Sequence, residues 1–263
     1  MFDKRYYYLL KIQYLGFRFH GWQKQPDVLT VERMMERTLA YVLGRKNFKY
    51  IAAGRTDAKV SVNCTYVELF LNDEPLDLET FETEFNKNLP QDIRMLNIVE
   101  VDDKLNLIQH PKIKEYIYSF SYGEKNHPFC APFMVHMFDD LDIELMQKAA
   151  KCFEGFHDLR NFCYKASPET QTEMEIISCE LVKNDLFTAS FFPEESYLLK
   201  VQGAGFKRHQ IRLMMGALFE LGKGELSWED FNKALDGKTP FKLTHIAQAS
   251  GLMLNDMRLE GFD

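Results

Sequence analysis

The sequence predicts an α/β protein of the α+β kind: two related lobes with mainly antiparallel sheets flanked by helices. Three observations carry this. Short runs rich in β-branched and aromatic residues read as strands. Helical periodicities are interspersed among them. The order strand, helix, strands, helix recurs in each half of the chain, which is the alternation expected of layered α/β architecture. The halves divide near residues 100 to 112, giving an N-terminal lobe over 1–105 and a C-terminal lobe over 106–263, with the cleft between them as the default site. One continuous sheet running through both lobes fits the same pattern.

In the first half, Tyr6–Tyr14 reads as a strand, and Gly16 and Gly21 punctuate the loop after it. Val31, Met34, Met35, Thr38, Leu39 and Val42 follow helical spacing, with Thr30 as N-cap and Gly44 beyond the end. Lys49–Ala53 and Val60–Leu71 read as strands joined through Gly54–Lys59. A helix over Leu78–Leu89 carries Phe81, Phe85 and Leu89 on one face and stops at Pro90, because proline disfavours helix in the residue before it. Ile93–Val101 returns to strand. In the second half, Lys114–Tyr122, Ile176–Val182, Leu186–Phe191 and Leu198–Gly203 read as strands and Leu141–Phe153 as a helix. The helix after Gly205 buries a stripe of Ile211, Met214, Met215, Leu218 and Phe219, and Ser227 with Asp230 starts a last helix that ends at Gly237.

Composition bounds the function. With 263 residues, 46% of them apolar and 27% charged, the chain has the make-up of a folded globular protein rather than a disordered one. Met1–Arg5 leads into Tyr6–Leu10 without a basic segment and a sustained apolar stretch, and no apolar run reaches the roughly 18 residues of a membrane span, so a cytoplasmic protein without membrane contact is expected. Five cysteines, Cys64, Cys130, Cys152, Cys163 and Cys179, never fall in a C-x-x-C pair and read as buried free thiols; no metal site is expected. A net charge of −7 disfavours a polyanionic partner unless cations gather locally, so composition by itself favours a small-molecule enzyme or a protein-interaction module.

Gly54-Arg55-Thr56-Asp57 places an arginine and an acid two residues apart in a connection between strands. In isolation this is a turn, with Gly making the bend and Thr or Asp capping it. Its weight comes from what surrounds it. Tyr14-x-Gly16, His20-Gly21-Trp22-Gln23-Lys24-Gln25 and Thr30-Val31 precede it. Asn88-Leu89-Pro90, Asp92-Ile93, Lys114-Glu115-Tyr116-Ile117-Tyr118 and Gly155-Phe156-His157-Asp158-Leu159 follow. Gly205-Phe206, His209-Gln210-Ile211-Arg212, Gly216, Gly222-Lys223-Gly224 and Gly251-Leu252-Met253-Leu254 close the series. In this order the blocks resemble the tRNA pseudouridine synthase A family over nearly the whole chain.

The resemblance implies the pseudouridine synthase fold and isomerisation of uridine to pseudouridine in the anticodon stem-loop of tRNA, with no cofactor and a homodimer in which one tRNA contacts both subunits. It makes Asp57 the catalytic carboxylate, as a nucleophile or as a base for an elimination route. Arg55 fills the space left by the extruded base, Tyr116 stacks on the uracil and moves the C5 proton, and Arg212 is the counter-charge to the acid. Tyr118, two residues along, reads as core. Arg18, His20, Lys24 and Lys59, with Lys112 and Lys114, are candidates for an RNA track, as are Lys207, Arg208 and His209. The spacing puts Arg208 and Arg212 one turn apart on a helical face.

The chain also departs from the family. Lys59-Val60-Ser61-Val62 stands where the family has Gly-Val-His-Ala, Asn106 and Ile108 replace a usual His and Arg, Met174 stands for an arginine and Gln248 for a proline. Two rivals follow: a catalytically weak paralogue that binds or remodels RNA, and an acidic protein-interaction module.

Overall fold

The computed structural model describes residues 5–72 and 74–262; Met1–Lys4, part of the segment read as lacking a leader, lie outside them. In chain order the elements are β1 (Arg5–Tyr14), α1 (Val31–Val42), β2 (Lys49–Ala52), β3 (Ser61–Asn72), α2 (Leu78–Asn88) and β4 (Ile93–Val101). Then come β5 (Lys112–Tyr122), β6 (Val135–Met137), α3 (Ile143–Lys151), β7 (Gly155–Asp158), β8 (Glu173–Lys183) and β9 (Ser196–Gly203). The chain closes with α4 (Gln210–Gly222), α5 (Trp228–Asp236) and β10 (Leu252–Leu259). This is the mixed α and β class with mainly antiparallel strands that the sequence predicts. None of the described helices is long and apolar enough to cross a membrane.

The chain forms two compact units, one of residues 1–112 with 254–263 and the other of 113–253. In the first, β1 lies between β3 and β4, antiparallel to both, so that Leu10 faces Val67 on one side and Ile98 on the other. Strand β2 also pairs antiparallel with β3, and β10 is a further neighbour of β3. Residues from β1 (Leu10, Ile12), α1 (Met35, Leu39) and α2 (Phe81, Phe85) make the core, the two phenylalanine rings stacking at 5.2 Å; each such side chain stabilises the fold by about 1.5–3 kcal/mol relative to exposure. The caps act as the sequence predicts. Thr30 accepts from the Arg33 N–H, and Leu89 turns extended at ψ 148° ahead of Pro90. Asp77 caps α2 by accepting from Thr80, which holds its carboxyl below the usual range.

In the second unit, β5, β9, β8 and β7 follow one another in antiparallel pairing and β6 joins β5 in parallel. The predicted stripe of α4 is buried, but so are Leu213, Gly216, Ala217 and Leu221, so α4 is enclosed nearly all round rather than amphipathic. Glycine permits this. A Cβ on Gly216 would lie 2.0 Å from the His245 carbonyl oxygen, and one on Gly222 would lie 2.5 Å from Met146 Sδ of α3.

Three expectations are corrected. Leu186–Phe191 is not a strand: the Asn184 side chain accepts from the N–H groups of Leu186 and Phe187 and donates to the Phe187 carbonyl, turning the chain before it can pair. Gly155–Asp158, in the block that resembles the family's short turn, is the short strand β7 paired to β8. Of the five thiols, Cys152 is half-buried rather than buried, the other four being buried and all five free.

Candidate active site

Asp57 sits in the connection from β2 to β3, and that connection is clamped against the loop after β1. The Trp22 N–H donates to the Thr56 carbonyl (3.1 Å) and the Lys59 N–H to the Phe19 carbonyl (3.0 Å), while Tyr14 Oη and Thr56 Oγ1 share a hydrogen bond of 2.8 Å. The two backbones approach so closely that side chains are excluded between them. A Cβ on Gly16 would fall 2.0 Å from the Val60 oxygen, and one on Gly21, at φ +88°, would fall 2.7 Å from the Thr56 oxygen. The loop after β1 is itself tied to α1 through Val31 N–H to Gly21 O and Glu32 N–H to Trp22 O, and Trp22 is buried against Tyr14. A half-buried carboxylate is thus presented from a turn whose backbone is fixed on both sides.

The departures after Asp57 take their meaning here. Lys59, where the family carries glycine, adopts φ +68°, the left-handed conformation that glycine enters without strain. Ser61, at the family's histidine position, is buried and accepts from the Gly16 N–H at 3.0 Å, adding a further tie between the same two loops.

The cations of this unit differ in their engagement. Arg55 is exposed and donates to Gln23 Oε1 (3.0 Å). Arg18 makes a two-pronged pair with Asp92, whose hydrogen bonds raise the guanidinium pKa, and Lys24 pairs with Glu36. The exposed Lys24–Glu36 pair is worth about 0–1 kcal/mol, whereas the two-pronged Arg18 pair rests on the more buried Asp92 carboxylate. His20 is exposed, and Lys59 Nζ lies 5.8 Å from the Phe17 ring centre. Lys112 is corrected: its ammonium donates to the carbonyls of Leu107 (2.7 Å), Ile108 (2.8 Å) and His110 (3.1 Å), and burial lowers its pKa, so it organises the 107–110 turn rather than an RNA track.

In the second unit, Tyr116 on β5 is half-buried and sets its ring edge-on to Phe206 at 5.3 Å. Tyr118, two residues on, is fully buried and donates to the Gln248 carbonyl (2.9 Å); burial raises its pKa, and it belongs to the core. Arg212 lies in the first turn of α4, where its Nε donates to the Ala247 carbonyl at 2.7 Å while the Ala247 N–H donates back to the Arg212 carbonyl at 3.0 Å. That reciprocal pair orients the guanidinium.

The expectation of Arg208 and Arg212 on one helical face is overturned. Helix α4 begins at Gln210, and His209 at φ +57° breaks the path before it. The Lys207 N–H donates to the buried Gln210 side chain (2.8 Å), and Arg208 turns outward over the Tyr164 ring, 5.3 Å from its centre. The Gln210 amide also meets Met174 Sδ at 3.2 Å, giving the arginine-to-methionine departure a packing role. The contribution of Gly16 and Gly21 was invisible as contact in the sequence, where they read only as loop punctuation.

The chain is similar to known proteins over most of its length. A family model described as tRNA pseudouridine synthase matches residues 149–260. "tRNA pseudouridine synthase A 2" of a Bacillus cereus strain is 31% identical over 251 residues, covering 95% of this chain and 98% of the relative. "tRNA pseudouridine synthase A" of Shouchella clausii is 31% identical over 247 residues (94% and 91%), and that of Bacteroides fragilis 27% over 248 residues (94% of each).

Proposed function

This chain belongs to the tRNA pseudouridine synthase A family, and we propose that Asp57 is the carboxylate with which it isomerises uridine to pseudouridine in the anticodon stem-loop of tRNA. The enzyme is an isomerase: the C1′–N1 bond breaks, the detached uracil turns while bound, C1′ joins C5, and the proton lost from C5 is balanced by one gained at N1. The observation that carries the assignment is the clamp on the Gly54–Val60 turn, since a reacting carboxylate must be held in place rather than left on a mobile loop.

Asp57 acts on the sugar, either attacking C1′ or removing a proton to open an elimination route. Extruding the base costs a few kcal/mol, which Arg55 offsets by occupying the gap and contacting phosphate. Tyr116 stacks on the uracil and relays the C5 proton. Arg212 is the counter-charge that keeps the acid ionised, and the Ala247 carbonyl sets its plane. Arg18, His20, Lys24, Lys59, Lys207, Arg208 and His209 supply the phosphate contacts. We assign the enzyme to the cytoplasm as a homodimer, for which sedimentation at micromolar concentration is the check.

Tritium release from tRNA whose uridines carry tritium at C5 tests the assignment. Release by the wild type and none by Asp57→Ala is expected; equal release from both removes Asp57 from the mechanism.

A further inference from the structure

Within the second unit, one tyrosine gathers cations that the chemistry at Asp57 does not use. The Tyr164 N–H donates to the Arg208 carbonyl (3.3 Å), so the segment bearing Tyr164 lies against the turn before α4. The His209 ring sits 4.6 Å from the Tyr164 ring at an interplanar angle of 44°. Lys165 Nζ and Arg208 Cζ each lie 5.3 Å from its centre. Tyr164 is half-buried, whereas Lys165 and Arg208 are exposed.

Two features set this cluster apart from a solvated basic face. Lys165 (φ +51°) and His209 (φ +57°), the residues bordering the ring on either segment, are both held in the left-handed region, a strained conformation for non-glycine residues that recurs at ligand clamps. Arg160 braces the segment by donating to the carbonyls of Ser167 (3.2 Å) and Thr170 (3.4 Å). Among the described residues, no carboxylate is ion-paired with Lys165, Lys207 or Arg208, although the chain carries a net charge of −7. Arg18 and Lys24, by contrast, have carboxylate partners.

We propose that Tyr164 is a stacking platform for an unpaired nucleotide of the bound tRNA, with Lys165 and Arg208 as the clamp on that nucleotide's phosphates. A tyrosine face accepts any base, and stacking on it is stronger than an exposed cation–π contact. An arriving base therefore displaces a cation from the ring. The displaced side chain, long and still charged, is within reach of the phosphate that arrives with the base. In the unbound protein the cations cover an aromatic surface that would otherwise be bare.

The subsite presupposes tRNA as substrate, and the measurements separate the two. Fluorescence anisotropy with labelled tRNA follows Tyr164→Ala, Tyr164→Phe and the double variant Lys165→Gln/Arg208→Gln. Tyr164→Ala raises the Kd about ten-fold while Tyr164→Phe stays within about two-fold, and KM rises with Kd more than kcat falls. The double variant lowers the slope of log Kd against log salt by about one to two. Wild-type affinity in a Tyr164→Ala chain whose thermal melt shows it folded overturns the platform; so does an unchanged salt slope in the double variant, whose substitutions lie on the surface. If the wild type turns over tRNA and every variant binds as it does, the subsite alone falls. If the wild type neither binds nor modifies tRNA, the functional reading falls and the subsite with it.

Discussion

The turn carrying Asp57 and the turn before α4 carrying Arg208 are both short, polar connections, yet they are held by different means. The first is fixed by backbone: carbonyls of Phe19 and Thr56 take N–H groups from the facing loop, and Gly16 and Gly21 let the chains touch. The second is fixed by side chains and strain: Gln210 holds the Lys207 N–H, His209 sits left-handed, and nothing lies within 4 Å of a Cβ placed on Gly205. A backbone clamp tolerates little change and suits a group that must meet a reacting atom to within a fraction of an ångström. Side-chain anchoring leaves cations that can move, which suits phosphates.

The largest effect separates chemistry from scaffold: Asp57→Ala lowers kcat for pseudouridine formation by roughly a thousand-fold or more, whereas Arg208→Gln acts chiefly on tRNA affinity, as single-turnover kinetics will resolve. Next is the clamp itself. Gly21→Ala destabilises by about 2–3 kcal/mol in urea unfolding because it meets both a positive φ and the Thr56 oxygen, while Gly205→Ala is near neutral; equal effects would erase the distinction between the two turns. Smaller still, Lys59→Gly relieves a left-handed lysine and raises stability by about 1 kcal/mol, read in the same denaturation experiment.

The last prediction concerns Glu68 on β3, a buried carboxyl with one oxygen lacking a hydrogen bond. Burial raises its pKa, against a smaller opposing hydrogen bond from the Leu107 backbone. With the folded pKa above the unfolded one, its contribution is fully present below the unfolded value and is lost as pH rises through the folded value. Glu68→Gln is therefore more stable than wild type at pH 7, and the gap closes as the solution is acidified toward pH 4. A gap that widens on acidification reverses the assignment.

Much of the fold was legible because its signals are local. Thr30 and Ser227 mark helix starts through their side-chain oxygens, Pro90 and Gly237 mark helix stops through their backbone preferences, and the structure has α1 and α5 begin, and α2 and α5 end, there. The apolar content of Leu186–Phe191 misled because strand propensity presupposes a partner, and the Asn184 side chain intercepts the backbone first. Lys112 read as an RNA contact because a lysine's carbonyl partners, three of them here, leave no mark in the sequence. The Asp57 turn is marked in the sequence by the family blocks around it; the glycine contacts that fix it join residues some forty positions apart and become visible only in three dimensions.

The place of β10 has a consequence for how the protein is made. Residues 254–263 belong with 1–112, where Asn63 donates to Asn255 (3.3 Å), the Tyr66 hydroxyl to the Phe262 carbonyl (3.2 Å) and the Glu260 N–H to the Pro111 carbonyl (3.2 Å). At about 5–20 residues per second, a ribosome takes roughly 7–30 s to pass from Lys112 to Leu254. Through that interval β3 has left the tunnel without its β10 neighbour, exposing a strand edge. The nascent N-terminal unit must wait for the second unit to be translated before it closes, so the carboxylate-bearing half completes its fold last.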